Sequence, residues 1–186
     1  MRLYMGLVHF PVYNKDHERI ASAITTLDLH DLARLARTYA VKRLFMITPL
    51  EDQQSLARRI LTHWQVGYGA RYNPDRKEAL QRTRVVATLQ EALLVVSQTE
   101  GSTPLMIGTD ASDTKDRAIS YAQVRRIIQN NEVVMLLFGT AWGLHDEVMN
   151  AMDHVLVPIK GLDGYNHLSV RAAAAIILDR LMNETP

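Results

Sequence analysis

The sequence predicts an α/β fold, a mostly parallel sheet covered by helices on both faces. Three observations carry that prediction. Short apolar runs alternate along the chain with segments whose apolar residues recur at helical spacing. The runs are apolar almost throughout, as over residues 3–10, where only Tyr4 and His9 intervene; strands buried on both sides read this way. Two glycine-bearing loops, residues 139–144 and 160–164, each follow such a run, as loops at the carboxyl ends of parallel strands do.

The elements follow in order. The first strand, residues 3–10, ends at Pro11, and Asn14, Lys15 and Asp16 supply turn chemistry. Residues 26–39 form a helix through Leu29, Leu32, Ala33, Leu35 and Ala36, with Asp28 expected as its cap and Asp31 in its first turn. A strand over 43–48 stops at Pro49. The amphipathic segment 50–65 gathers Leu56, Ile60, Leu61 and Trp64 on one face. Gly67, Gly69, Asn73 and Pro74 read as a loop before a charged helix, 75–82, and a strand, 84–87. Thr88 caps a helix over 89–98. The strand 104–107 ends in Gly108, Thr109 and Asp110, and a loop opens at Thr114 and Lys115. Next come a helix over 120–130 burying Val124, Ile127 and Ile128, a strand over 132–138, a short helix to Met152 and a strand over 155–159. The last helix, expected to be capped by Asn166, reaches Met182; Ala172 to Ala175 give it a surface for close packing.

Composition narrows the function classes. The 186 residues, 47% apolar and 22% charged, suit one globular domain spanning residues 1–186. A net charge of +1 gives no bulk field toward nucleic acid, so any basic footprint is local. The absence of cysteine excludes disulfides, thiolate zinc sites and a cysteine nucleophile, and no metal is expected. No run approaches the roughly 18 apolar residues of a membrane helix, and residues 1–6 do not continue into a signal peptide. The expectation is a cytoplasmic protein.

The chemistry concentrates in the last third. Residues 139–143 lack the lysine of a phosphate-binding loop and the spacing of the dinucleotide fingerprint. Their glycines either let backbone pass close to a ligand or merely serve tight turns. Asn166, His167 and Ser169 stand at the start of the last helix, as first-turn residues or as donors to a ligand.

Three ordered segments say more: Leu136-Leu137-Phe138-Gly139-Thr140-Ala141-Trp142-Gly143-Leu144, Val157-Pro158-Ile159-Lys160-Gly161, and Tyr165-Asn166-His167-Leu168-Ser169-Val170-Arg171-Ala172-Ala173. Together they resemble the SPOUT methyltransferases, most sharply over residues 104–181. Residues 7–15 and 27–34 are similar to one bacterial subgroup of RNA methyltransferase-like proteins. The resemblance implies a deep trefoil knot over about 104–182 and S-adenosylmethionine bound in three knot loops. Carried across, these loops place Gly108, Thr109, Phe138, Gly139, Gly143, Ile159, Gly161, Tyr165, Asn166, Leu168 and Ser169 at the cofactor. A sulfonium bearing an adenine suits backbone polar groups and apolar walls.

The resemblance also implies catalytic residues on the early helix. Arg34 falls at the family's active-site arginine, and Asp28 stands where the ribose-methylating branch has asparagine; Ala141 lies close to where that branch has glutamate. A guanidinium keeps its proton, so Arg34 would grip phosphate or orient the nucleophile, leaving Asp28 and His30 as proton acceptors. The bland readings are a cap for Asp28 and exposed helix surface for His30 and Arg34. For RNA, basic residues cluster at Arg34, Arg37, Lys42 and Arg43, at Arg58 and Arg59, at Arg71, Arg76, Lys77, Arg82 and Arg84, and at Arg125 and Arg126; Tyr68 and Tyr72 flank the third group. The implied protein is a homodimeric S-adenosylmethionine-dependent methyltransferase acting on structured RNA, tRNA or rRNA, at a base nitrogen or a ribose 2′-hydroxyl. Two alternatives stand beside it: a non-catalytic module binding S-adenosylmethionine or RNA, and a generic doubly wound nucleotide-binding protein.

Overall fold

Strand β1 (Arg2–Val8) is the axis of the computed structural model, with a parallel partner on either side. A small antiparallel ribbon, β2 (Val12–Tyr13) and β3 (Arg19–Ile20), leads to α1 (Thr26–Thr38), β4 (Arg43–Ile47) and α2 (Glu51–Gln65). Then follow α3 (Tyr68–Tyr72), α4 (Pro74–Leu80), β5 (Thr83–Val86), α5 (Leu89–Glu100), β6 (Leu105–Thr109) and β7 (Ala118–Ile119). The chain continues through α6 (Tyr121–Gln129), β8 (Val133–Gly139), α7 (Asp146–Met149), β9 (His154–Leu156) and α8 (Val170–Met182). The structure describes residues 1–112 and 117–183, so the loop opening expected at Thr114 and Lys115 lies outside the described residues.

The main sheet has the order β5-β4-β1-β8-β6-β9-β7, and every pair in it is parallel. Successive residues of each strand face opposite sides. Leu3, Met5, Leu7, Leu44, Met46, Leu136 and Phe138 join one core with α1, α2, α6 and α8. Tyr4, Val8, Phe45, Ile47, Met135 and Leu137 join a second core with α5 and α7. Both faces are therefore dry, which is why these strands read as unbroken apolar runs. The expected α/β architecture stands.

Several local expectations are corrected. Thr25, not Asp28, caps α1: its hydroxyl oxygen accepts the Asp28 N–H at 3.0 Å and its O–H donates to the Asp28 carboxylate at 2.6 Å. Ser169, not Asn166, caps α8, accepting from the Ala172 N–H at 3.2 Å. Residues 68–72, read as loop, form α3, and its Gly69 sits so close to α2 that a Cβ there would come within 2.7 Å of the Trp64 ring. Here glycine is a packing requirement, not a helix breaker. On α2, Ala57 and Leu61 are buried while Leu56 is exposed. The strand expected over 155–159 stops at Leu156 and is followed by Pro158, which has no N–H for the ladder.

The amino-terminal edge of the sheet is tied by one carboxylate. Glu100, at the end of α5, accepts from Arg2 Nε at 2.7 Å, from Lys42 Nζ at 2.6 Å and from the Tyr4 hydroxyl. Its side chain is 6% exposed. Although burial alone would raise its pKa, the hydrogen bonds from Lys42, Tyr4 and Arg2 outweigh it and hold the carboxyl down to about 2. A carboxyl held below its unfolded value of 4.5 contributes stability present above that value and lost as pH falls toward 2. Glu100→Gln is expected to lower unfolding free energy by about 2 kcal/mol at neutral pH. In thermal melts across pH, the wild type should lose this margin over the acid range and the variant should not.

Candidate active-site cleft

The carboxyl ends of β6, β8 and β9 open onto a cleft of about 690 Å³. Its floor is apolar: Phe138, Leu156 and Ile177 are buried and also line the cleft. Val157, Pro158 and Ile159 form one wall, and Thr109, Asp110 and Ala111 another. The rim is Thr140 to Gly143 on one side and Asn166 to Val170 on the other. Asp28, from the first turn of α1, reaches the same space. Such a size and mix of apolar floor and sparse polar groups is typical of a small-molecule site.

The Gly139–Gly143 loop is shaped by close approach. A Cβ at Gly139 would stand 2.6 Å from the Leu144 nitrogen and 2.8 Å from the Gly143 carbonyl carbon, so no side chain fits while the loop folds back. Ala141 is in the left-handed region at φ 52, and Gly143 has φ 105. A non-glycine residue held there costs about 1–3 kcal/mol and persists only where its surroundings impose it. The ribbon before α1 does so: Trp142 N donates to Tyr13 O at 3.0 Å, and Tyr13 N donates to Gly143 O at 3.0 Å. Thr140 anchors the same loop from below. Its hydroxyl donates to Val8 O at 3.1 Å and lies 2.5 Å from Ser22 Oγ, which in turn lies 2.9 Å from His9 Nδ1. That chain of donors assigns the His9 proton to Nδ1. His9 is wholly buried, and burial lowers its pKa to about 4, so the ring is neutral and serves as a fixed donor.

Asp28 does not stand alone. Arg171, in the first turns of α8, places Nε 3.2 Å from Asp28 Oδ1 and Nη1 3.2 Å from Asp31 Oδ2. The Nε contact lacks hydrogen-bond alignment and is an ion pair; the Nη1 contact is a hydrogen bond. One guanidinium thus spans α8 and α1 at the mouth of the cleft.

Of the residues expected at the cofactor, Thr109, Phe138, Gly139, Gly143, Ile159, Asn166, Leu168 and Ser169 line the cleft. Gly108, Gly161 and Tyr165 are not among its lining residues. A Cβ on Gly108 would face Met152 Cγ at 2.9 Å, in the second core. Gly161 packs against Tyr165, where a Cβ would fall 1.9 Å from the carbonyl oxygen, so this pair closes its own loop. The three catalytic candidates separate. Asp28 lines the cleft, whereas His30 and Arg34 face the opposite flank of α1: Arg34 shares a smaller hollow with Asn73, Asp75 and Arg76, and His30 abuts the Trp64 ring edge-on at 5.5 Å. Burial lowers the His30 pKa, assisted by Arg76 and Arg34. Sequence reading missed the Thr140–Ser22–His9 chain, Asp110 and the Arg171 bridge. These join residues distant in sequence, and only Arg171 carried a signal, by its place in the third motif.

The chain matches, over residues 2–183, the family described as SAM-dependent RNA methyltransferase. It belongs to that family. S-adenosylmethionine is therefore the cofactor, and the cleft fits it: the loop folds back tightly on Gly139 so that backbone lines the cleft, the floor is apolar, and the carboxylates of the lining, Asp28 and Asp110, suit a cation. The chain is 44% identical over 182 residues to the tRNA (guanine-N(1)-)-methyltransferase of Oleidesulfovibrio alaskensis, covering 98% of this chain and 42% of that protein. It thus spans less than half of that relative. It is also 38% identical to an uncharacterized protein of Aquifex aeolicus, covering 97% of this chain and 88% of that one. Among solved structures, the fold is similar to a probable methyltransferase from Bordetella pertussis Tohama I, with a TM-score of 0.65, 16% identity and coverage of 97% and 94%. It is similar as well to a TrmH/SpoU tRNA modifying enzyme of A. aeolicus, with a TM-score of 0.57, 14% identity and coverage of 97% and 74%. These likenesses carry the α/β fold, a mostly parallel sheet flanked by helices.

Gly139→Ala tests this cleft directly. The added carbon forces the 139–144 loop open, so calorimetry should show S-adenosylmethionine affinity reduced by about tenfold or more, roughly 1.4 kcal/mol, with the melting transition retained. Unchanged affinity would separate this loop from the cofactor.

Proposed function

We propose that this chain transfers methyl groups from S-adenosylmethionine to a structured RNA, a tRNA or rRNA, in the cytoplasm, and does so as a homodimer. The observation that carries the reading is the single cleft on which β6, β8, β9 and the start of α8 converge, in a chain of this family. When bound, S-adenosylmethionine supplies an electrophilic methyl group. The protein aligns the acceptor and receives its proton. Phe138, Leu156 and Ile177 exclude water from the floor, while Thr140, Asn166 and the 139–143 backbone orient the cofactor. Asp28, steadied by Arg171, is the carboxylate available to take a proton at the mouth. The acceptor is a base nitrogen or a ribose 2′-hydroxyl; the guanine-N(1) name describes relatives of which this chain spans 42%.

A trefoil knot over about 104–182 is supported by strand order. β9 lies between β6 and β7 though it is made after both, and Asn166 Nδ2 donates to Ala111 O at 2.8 Å, tying the segment after β9 to the segment after β6. The homodimer is supported by exposed apolar side chains, Trp142 and Leu168 on the rim and Leu162 and Tyr165 on the loop before α8, and by Arg34, exposed and outside its own cleft. In that arrangement Arg34, with His30 beside it, serves the cleft of the partner subunit.

Incorporation of labelled methyl into purified tRNA and rRNA, followed by nucleoside digestion, tests the activity and names the acceptor. Arg34→Ala should lower turnover by about a hundredfold while leaving S-adenosylmethionine affinity within about threefold. Mixing Arg34→Ala subunits with Gly139→Arg subunits, whose cleft is blocked by the long side chain, should then restore about a quarter of wild-type turnover, one working site in half of the dimers. No recovery on mixing would refute service in trans. No incorporation by a folded, cofactor-binding wild type would instead favour a non-catalytic binding module.

A further inference from the structure

The strongest feature outside the cleft is the flank formed by α2, α3 and α4. Tyr68 and Tyr72 stand four residues apart on α3 and so share one face. Their rings are stacked, with centroids 6.0 Å apart and planes 21° apart, yet the residues are 67% and 73% exposed. Two large rings in water at once are unusual for a helix of five residues unless something holds it. Gly69 does: it seats α3 directly on Trp64 and His63 of α2. Trp64 is in turn covered by the Arg76 guanidinium, 4.4 Å from the ring centroid. The platform is built, not incidental.

Its charge is equally selective. Nearby basic residues are engaged: Arg37 pairs with Glu78 at 2.6 Å, Arg84 lies 3.9 Å from Glu91, and Arg82 donates to Val41 O at 2.7 Å. Arg71, Arg76 and Lys77 form no ion pair among the described residues, and Arg34 joins them from α1. Stacked aromatics edged by unpaired cations match a strand of unpaired nucleotides, whose bases offer π-faces and whose backbone offers phosphates. A duplex, whose bases are already stacked within the helix, would leave the rings unused.

We infer that α3 and α4 form a docking platform for a single-stranded segment of RNA, with bases stacked on the outer faces of Tyr68 and Tyr72 and phosphates held by Arg71, Arg76 and Lys77. This inference rests on the RNA methyltransferase reading above and adds the place where substrate is held outside the cleft.

The test is fluorescence anisotropy of the full chain with a labelled single-stranded oligoadenylate of about ten nucleotides and a blunt RNA duplex of the same length. Wild type should bind the single strand more tightly than the duplex. Tyr68→Ala with Tyr72→Ala should weaken single-strand binding about tenfold or more, whereas Tyr68→Phe with Tyr72→Phe should stay within about twofold, since the ring faces remain. Arg71→Ala with Lys77→Ala should flatten the salt dependence by about 0.7 for each phosphate no longer neutralised, and the alanine pair on the tyrosines should not. Equal binding by the tyrosine-to-alanine protein, no wild-type preference for the single strand, or a shift of that protein from dimer to monomer in light scattering would each overturn the platform. Methyl incorporation into tRNA, measured alongside, keeps the readings apart: turnover without oligonucleotide binding removes the platform and leaves the enzyme.

Discussion

The register of β8 against β1 is the constraint from which the rest follows. The two strands pair from Arg2 opposite Val133 to Val8 opposite Gly139, and β6 continues the ladder on the other side of β8. Because side chains alternate, a slip of one residue would carry Phe138 from the first core to the second and turn the cleft floor over. Register also fixes where β8 ends. Gly139 falls beside Val8, whose carbonyl receives Thr140, so the loop at the cleft starts from a point set by the sheet. Precision at the site is therefore inherited from packing many residues away.

Helix α1 distributes the chemistry. It packs between α8 on one flank and α4 on the other, with Leu29, Leu32, Ala33 and Ala36 against the sheet. Helical geometry then sends Asp28 and Asp31 toward Arg171, and His30 and Arg34 toward Trp64 and Arg76. Residues that look like one catalytic cluster in a linear motif belong to two surfaces in the fold. The basic residues of this flank divide in the same way: Arg37, Arg82 and Arg84 are engaged by a carboxylate or a carbonyl, whereas Arg71, Arg76 and Lys77 form no ion pair among the described residues.

What was legible in the sequence was whatever repeats along it. Strands buried on both faces announce themselves as apolar runs, and parallel order follows from their alternation with helices. The first glycine loop marked the cleft because β8 ends in Gly139 and its backbone turns at once, whereas the 160–164 loop lies outside the lining. Caps were harder, since Thr25, Thr26 and Asp28 all have the chemistry and only the local chain direction selects among them. The helix α3 was hidden because Gly67, Gly69, Asn73 and Pro74 resemble breakers, while the reason for Gly69 lies in the shape of Trp64. The two residues of β7 are too few to show a period. The chain from His9 through Ser22 to Thr140 and the Arg171 bridge couple positions more than a hundred residues apart, and no window along the sequence contains them.

The place of β9 in the sheet has a consequence for synthesis. Among the described residues β7 pairs only with β9, which leaves the ribosome later, so β7 emerges with no neighbour to join. The β5-β4-β1 half has all its strands early and is free to form a folding unit while translation proceeds. The edge that forms the cleft waits for β9 and then α8. A nascent chain stalled before β9 would hold a core without a cofactor site, so competence to bind S-adenosylmethionine arrives only once β9 and α8 have been made.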